Sequence, residues 1–307
     1  MGRYLMKRLA SAVLTVWFVL TLTFFLMNLM PGSPFSSDEY LIPEVRAVVE
    51  EKYGLNEPVT GRYIQYVKNI LHGDFGVSYT KKGISTNQII STGFPYSARI
   101  GLFAAGLVLT AGVSFGILAA VFRKSFVDYG IMFGAVLGST IPNFVFCTLF
   151  LYIFSRLLGW VPSYGAESWR GYIGPVLVSS LFSTAFVTRL MKDSLTDVMQ
   201  QSYIRTARSK GISEFRVIFR HGLRNAILPV ITYMGPMLAS MLTGSFVVER
   251  VFGIPGIGYL FTTSVLNRDY TLIMGITIFF SVLLSFFSLL VDVIYMLVDP
   301  TIRLEGK

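Results

Sequence analysis

Six apolar runs, each about 20 residues or longer and nearly free of charge, recur along this chain. Wound as an α-helix, a run of that length crosses the hydrocarbon core of a bilayer. Lipid offers no hydrogen-bond partners to the backbone, so each run has to satisfy its own N–H and C=O groups, which a helix does. The runs cover residues 9–30, 98–122, 131–154, 171–191, 226–248 and 271–298. Composition agrees: 14% of the 307 residues are charged, against roughly a quarter in a soluble chain. The expected fold class is an all-α membrane protein with six transmembrane helices.

Lys and Arg set the orientation, because they accumulate in the short loops on the cytoplasmic side. On one side lie Arg3, Lys7 and Arg8, then Arg123 and Lys124, then Lys192, Arg205, Arg208, Lys210, Arg216, Arg220 and Arg224, and finally Arg303 and Lys307. The short loops opposite hold only Arg156, Arg170, Arg250 and Arg268. Both termini and residues 202–229 are therefore expected in the cytoplasm. Residues 1–30 then form the N-terminus and first span, 31–97 a substantial extracytoplasmic segment, and 98–307 a five-helix core with a cytoplasmic loop at 192–225. The first run is longer than the apolar part of a secretory signal. Pro31-Gly32-Ser33-Pro34 follows it in place of a small-residue cleavage site, so it is read as a retained span. The net charge of +9 is accounted for by this topology without nucleic acid. Cys147, the one cysteine, has no intrachain partner.

Gly112 and Gly116 in the second run, and Gly130, Gly134 and Gly138 in the third, form small-residue faces suited to close helix packing. Pro142 and Pro236 are expected to kink the third and fifth spans. In the outer segment, residues 43–53 read as one helix. Tyr63, Tyr66, Val67 and Ile70 mark a second, ended by His72-Gly73-Asp74. A packed cap on the bundle and a docking surface for a delivery protein are both open readings of it. Trp160 and Trp169 take interfacial positions.

No catalytic or metal-binding constellation emerges. His72 and His221 fall on opposite faces of the membrane, and no G-x-x-x-x-G-K-[ST] phosphate cradle exists, so ATP hydrolysis by this chain alone is not expected. Gly253-Ile-Pro-Gly-Ile-Gly258 lacks the lysine of such a loop and reads as a tight turn or partial re-entrant segment. Arg189 and Asp292 lie near the cytoplasmic ends of their helices and Arg99 at the outer edge of the second. A structural pair, Asp292 with Arg189 or Arg303, is expected rather than a proton path.

The loop between the fourth and fifth runs carries most of the short-loop charge. Residues 196–210 read as a helix extending from the fourth span, with Gly211 suited to a left-handed C′ position. Ser213 can cap a second helix and Glu214 complements its dipole. Phe215, Ile218 and Phe219 share one face of that helix, and Arg216, Arg220 and Arg224 another. By itself such a helix equally suits an anionic lipid surface.

Longer matches separate these readings. Ala207-x-x-x-Gly211 followed by Ile227-Leu228-Pro229 resembles the EAA loop of permease subunits in ATP-binding-cassette (ABC) importers. Tyr203-Ile-Arg-Thr-Ala-Arg-Ser-Lys-Gly211 and His221-Gly-Leu-Arg-Asn-Ala226 are similar to its dipeptide, oligopeptide and nickel branch. So are Tyr53-Gly-Leu-Asn-Glu-Pro58, Gly73-Asp-Phe-Gly-Val-Ser78, Phe252-Gly-Ile-Pro-Gly-Ile-Gly258, Arg268-Asp-Tyr270, Asp292-Val-Ile-Tyr295 and Asp299-Pro300. The resemblance implies a permease that carries short peptides together with a second, homologous permease, two ATPase subunits and an extracytoplasmic substrate-binding protein. It would sit in the lipid of a prokaryotic cytoplasmic membrane. ATP and magnesium would be held by the ATPases, and no cofactor by this chain. The ATPase-docking residues it implies are Arg205, Ala207, Gly211, Ile212, Ser213, Glu214, Phe215, Arg216 and Phe219. Arg205 and Thr206 stand where the wider superfamily has Glu and Ala, so any ion pair made by that Glu does not carry over. A nickel chelate or another small solute is the alternative cargo, and a stand-alone channel or ion-coupled carrier the alternative class.

Overall fold

The computed structural model describes residues 2–30, 57–81 and 83–298. They are helical almost throughout. One isolated antiparallel bridge, Val77 to Ser85, interrupts the pattern. In order, the helices are α1 Gly2–Leu29, α2 Val59–Leu71, α3 Thr86–Val121, α4 Phe126–Thr140, α5 Asn143–Leu157 and α6 Ile173–Val198. After these come α7 Ser202–Ser209, α8 Glu214–Ala226, α9 Leu228–Leu242, α10 Phe246–Phe252, α11 Ile257–Leu266 and α12 Tyr270–Val298. The helix expected at 43–53, the tail motif at Asp299-Pro300 and Arg303 lie outside the described residues.

Four helices are unbroken and apolar enough to cross a membrane: Met6–Leu29, Thr86–Val121, Trp169–Val198 and Tyr270–Val293. Several of their threonines fold back onto carbonyls one turn earlier, as Thr15 does onto Ser11 at 2.9 Å and Thr21 onto Trp17 at 2.8 Å. A hydroxyl satisfied in this way can sit inside an apolar helix. Six spans are reached only by counting two bent pairs as one span each. At Pro142 the expected kink is a break: α4 and α5 meet at 104°. The ring drives Ile141 into extended backbone, with φ −76° and ψ 127°. The fifth run departs differently. Pro236 lies inside an unbroken α9, and the bend of 50° falls between α8 and α9, just before Pro229. This run also ends at Leu242, where Gly244 takes φ +78° and α10 starts afresh. The second span starts at Thr86, well before the apolar run.

The chain forms two compact units, Met1–Pro95 with Pro255–Ser285, and Tyr96–Ile254 with Phe286–Lys307. In the first, Ile89, Ile90, Ile257, Leu260, Leu272 and Ile276 form the core, joined by Phe75 and Phe94. Helix α2 lies along α1: Tyr63 stacks on Phe25 and Tyr66 on Phe24, and the Tyr63 hydroxyl meets Thr21 Oγ1 at 2.7 Å. It ends as expected, at His72 followed by Gly73 with φ +75°.

A carboxylate pins this unit together. Asp269 is fully buried. It accepts hydrogen bonds from Ser78 Oγ, from the Tyr79 N–H at 3.1 Å, from Thr80 Oγ1 at 2.8 Å and from the Leu272 N–H at 3.3 Å. The sequence motifs Gly73–Ser78 and Arg268–Tyr270 are thereby joined.

In the second unit α6 is the central helix. Val187, Met191 and Leu195 are sealed against Ala105 and Val108 of α3 and Val230 and Met237 of α9. Gly116 allows α3 to approach: a Cβ there would fall 2.5 Å from Met191 Cβ and 2.7 Å from the Thr188 carbonyl. The second glycine face does less than expected, since only Gly138 meets a neighbour, and no atom lies within 4 Å of a Cβ at Gly130 or Gly134. One ion pair and two hydrogen bonds from a second cation tie α4 to α6. Lys192 Nζ lies 2.5 Å from buried Asp128, and Arg189 donates to the Ala135 carbonyl at 3.1 Å and Ser139 Oγ at 2.8 Å. Arg189 is thus not the partner of Asp292. Glu249 of α10 is also buried and accepts from Ser97 Oγ at 2.7 Å.

Candidate functional site

Between α6 and α9 the chain makes a compact helical turn whose geometry follows from a few residues. The helix expected over 196–210 is interrupted at residues 199–201, and α7 starts anew at Ser202. Lys210 ends α7 and Gly211 takes φ +74°, the left-handed conformation predicted for it. Its N–H bonds the Arg208 carbonyl at 2.9 Å and that of Ile212 the Ala207 carbonyl at 3.4 Å. This paired closure of a helix end turns the chain sharply toward α8. Ser213 takes the first position before α8 but does not cap it with its side chain. Its Oγ accepts from Arg216 Nε at 3.3 Å instead.

Below the turn, Ile204, Ala207 and Val217 are buried together with Ile212 and Met199 packed against them. Two polar contacts close the turn from outside. The Arg208 guanidinium grips Glu214 with two nitrogens, at 3.1 and 2.5 Å. Asn225 Nδ2 donates to the Tyr203 hydroxyl at 2.8 Å. Neither pair was apparent from the sequence, although six residues separate Arg208 from Glu214, a spacing that one tight helix–turn–helix closes.

The apolar face expected on α8 is split in two. Ile218 turns inward with Val217, both buried, while Phe215 and Phe219 remain outside, 70% and 45% exposed. Their ring centroids lie 4.5 Å apart, tilted at 34°, so they form one aromatic knob. A π-helical turn at Val217–Gly222 widens α8 where this division occurs. Arg205, Arg216, Arg220 and Arg224 are exposed around it. Of the nine residues predicted here, Ala207 and Ile212 build the base and Gly211 and Ser213 the turn. Glu214 braces it, and Phe215, Phe219, Arg205 and Arg216 face outward. The surface holds no acid–base pair or nucleophile arrangement. What it presents is an apolar anchor in a cationic rim, the make-up of a contact hot spot.

Comparison with known proteins gives this surface a setting. Residues 112–304 match the family model described as the binding-protein-dependent transport system inner membrane component, and residues 1–96 match its N-terminal counterpart. The oligopeptide transport system permease protein OppB of Haemophilus influenzae is 42% identical over 99% of this chain and 100% of its own length. The dipeptide transport system permease protein DppB of Bacillus subtilis is 42% identical over 100% of both. Among solved structures, the MetNI methionine ABC transporter in an inward-facing form aligns with a TM-score of 0.58 at 14% identity, covering 69% of this chain and 96% of that one. That likeness concerns the fold alone. With two matching family models and relatives aligned from end to end, this chain belongs to the binding-protein-dependent transport system inner membrane components, the permease subunits of ABC transporters.

Proposed function

We propose that this chain is the permease subunit of an ATP-driven importer of short peptides, and that the turn from Ser202 to Phe219 is where an ATPase subunit docks. Two ATPases, a second homologous permease and an extracytoplasmic binding protein complete the machine. The observation that carries the docking assignment is the Phe215–Phe219 knob, exposed on a turn that is itself firmly built. Burying one such ring contributes about 1.5–3 kcal/mol, and the arginines around it suit an acidic rim on the partner. Orientation follows from the Lys and Arg asymmetry, with the turn in the cytoplasm. Peptide is the favoured cargo because the full-length relatives are oligopeptide and dipeptide permeases.

Reconstitution tests this reading. With its partner permease, ATPases and binding protein in vesicles, the chain should support ATP-dependent uptake of radiolabelled trialanine. Alone it should turn over no ATP. Saturable ATP turnover by the isolated chain, or peptide uptake that ignores the ATPases, would contradict it.

A further inference from the structure

We propose that a cavity in the first compact unit is a binding subsite for a short peptide with free termini. This rests on the peptide-permease reading and gives the cargo a stopping place on this chain. The cavity holds about 670 Å3 between the end of α1, α2, the turn after it and the start of α12. Small-molecule sites commonly occupy about 300–1,000 Å3.

Its polar atoms are what mark it. Tyr270 is 92% buried, and its hydroxyl has no hydrogen-bond partner. The same is true of two other buried atoms on residues lining the cavity, the Tyr66 hydroxyl and Arg62 Nε. Buried polar atoms are nearly always paired, so three unpaired ones on residues that line one cavity single that cavity out. Burial, and secondarily Tyr79, pushes the Tyr66 hydroxyl above its ordinary pKa, which keeps it a hydrogen-bond donor.

The chemistry of the walls selects the partner. Glu57 and Arg62 supply one charge of each sign, suited to an α-amine and an α-carboxylate. Gln65 and Asn69 add amides of the kind that pair with a peptide backbone, and Phe24 and Phe75 give apolar surface for side chains. An inorganic ion would use only the charges, and an acyl chain only the rings. A di- or tripeptide uses all of them.

The test uses the assembled transporter in vesicles. The tripeptide alanyl-(p-benzoylphenylalanyl)-alanine is photolysed on the unaltered complex and its adducts are mapped by mass spectrometry. Adducts are expected within residues 62–79 or 270–274 and should be suppressed by excess trialanine. Adducts only elsewhere, or insensitive to trialanine, overturn the proposal. In a second arm, Tyr66→Phe with Tyr270→Phe removes two hydroxyls and nothing else. It should raise KM for trialanine by about fivefold or more, the loss of one or two hydrogen bonds. Arg62→Gln should bring trialanine uptake down toward that of its C-terminal amide. Unchanged KM and unchanged preference in assembled variants would mean a water-filled void and overturn it too. Should the variants fail to assemble, the cross-link map decides alone. If the unaltered complex moves no peptide at all, it is the parent reading that fails, before any variant is made.

Discussion

The turn around Asp269 and the turn around Gly211 join helices in similarly few residues, yet they direct their chemistry in opposite directions. At Asp269 the carboxylate is fully buried and takes hydrogen bonds from Ser78, Tyr79, Thr80 and Leu272. At Gly211 the nearby carboxylate, Glu214, stays exposed with Arg208, and two phenylalanine rings stand in the open above a sealed apolar base. The first turn is complete within the chain. The second is closed at its base but incomplete, since an exposed aromatic pair gains its full burial energy only against something else. Stability should therefore concentrate at the first and assembly at the second.

The sharpest way to break that comparison is Asp269→Ala. It strands several buried donors, and each unsatisfied group costs about 1–3 kcal/mol. A loss of about 3 kcal/mol or more is expected, seen as a lowered melting temperature and lower yield of the purified protein. Phe215→Asp should melt with the parent chain, and equal melting of the two variants would erase the distinction.

Gly211 sharpens the other half. Its φ of +74° costs an ordinary L-residue about 1–2 kcal/mol, more for a β-branched one, although no atom lies within 4 Å of a Cβ there. Gly211→Val should cut peptide uptake by tenfold or so. Gly211→Asn, which tolerates the left-handed region, should stay close to the parent chain. Equal damage from both would show that conformation is not what the glycine supplies.

The smallest effect belongs to the Arg208–Glu214 pair. Its side chains are 43% and 56% exposed, and exposed pairs contribute about 0.2–1 kcal/mol. A double-mutant cycle with Arg208→Gln and Glu214→Gln, read through ATPase association, should give a coupling energy under about 1 kcal/mol. A markedly larger value would make the pair a direct part of the contact.

Much of this was legible in the sequence, and for identifiable reasons. Span positions follow from apolar length, which lipid thickness enforces, and Gly211 from its place after a helix that has to end. Of the two partners offered for Asp292, Arg303 lies outside the described residues and Arg189 turns to the Ala135 carbonyl and Ser139 instead, because a guanidinium reaches oxygens that sequence spacing does not locate. Asp128 and Glu249 lie just outside the apolar runs, and nothing in their spacing marks them as buried, which both are. Asp269 was quoted within Arg268–Tyr270 and Ser78 within its own motif, but 191 positions separate them, and only the fold brings them together. The divided face of α8 was hidden for another reason. A π turn shifts the register, so Ile218 and Phe219 part company where regular periodicity keeps them together.

The central claim is that the exposed knob at Phe215 and Phe219 holds the ATPase. Purifying the complex through a tag on this chain, with Phe215→Asp introduced, tests it most directly. The account predicts that the variant reaches the membrane and melts as the parent does, but retains a tenth or less of the ATPase, roughly the loss of one buried aromatic ring. ATPase recovered in full, with uptake unchanged, would contradict it.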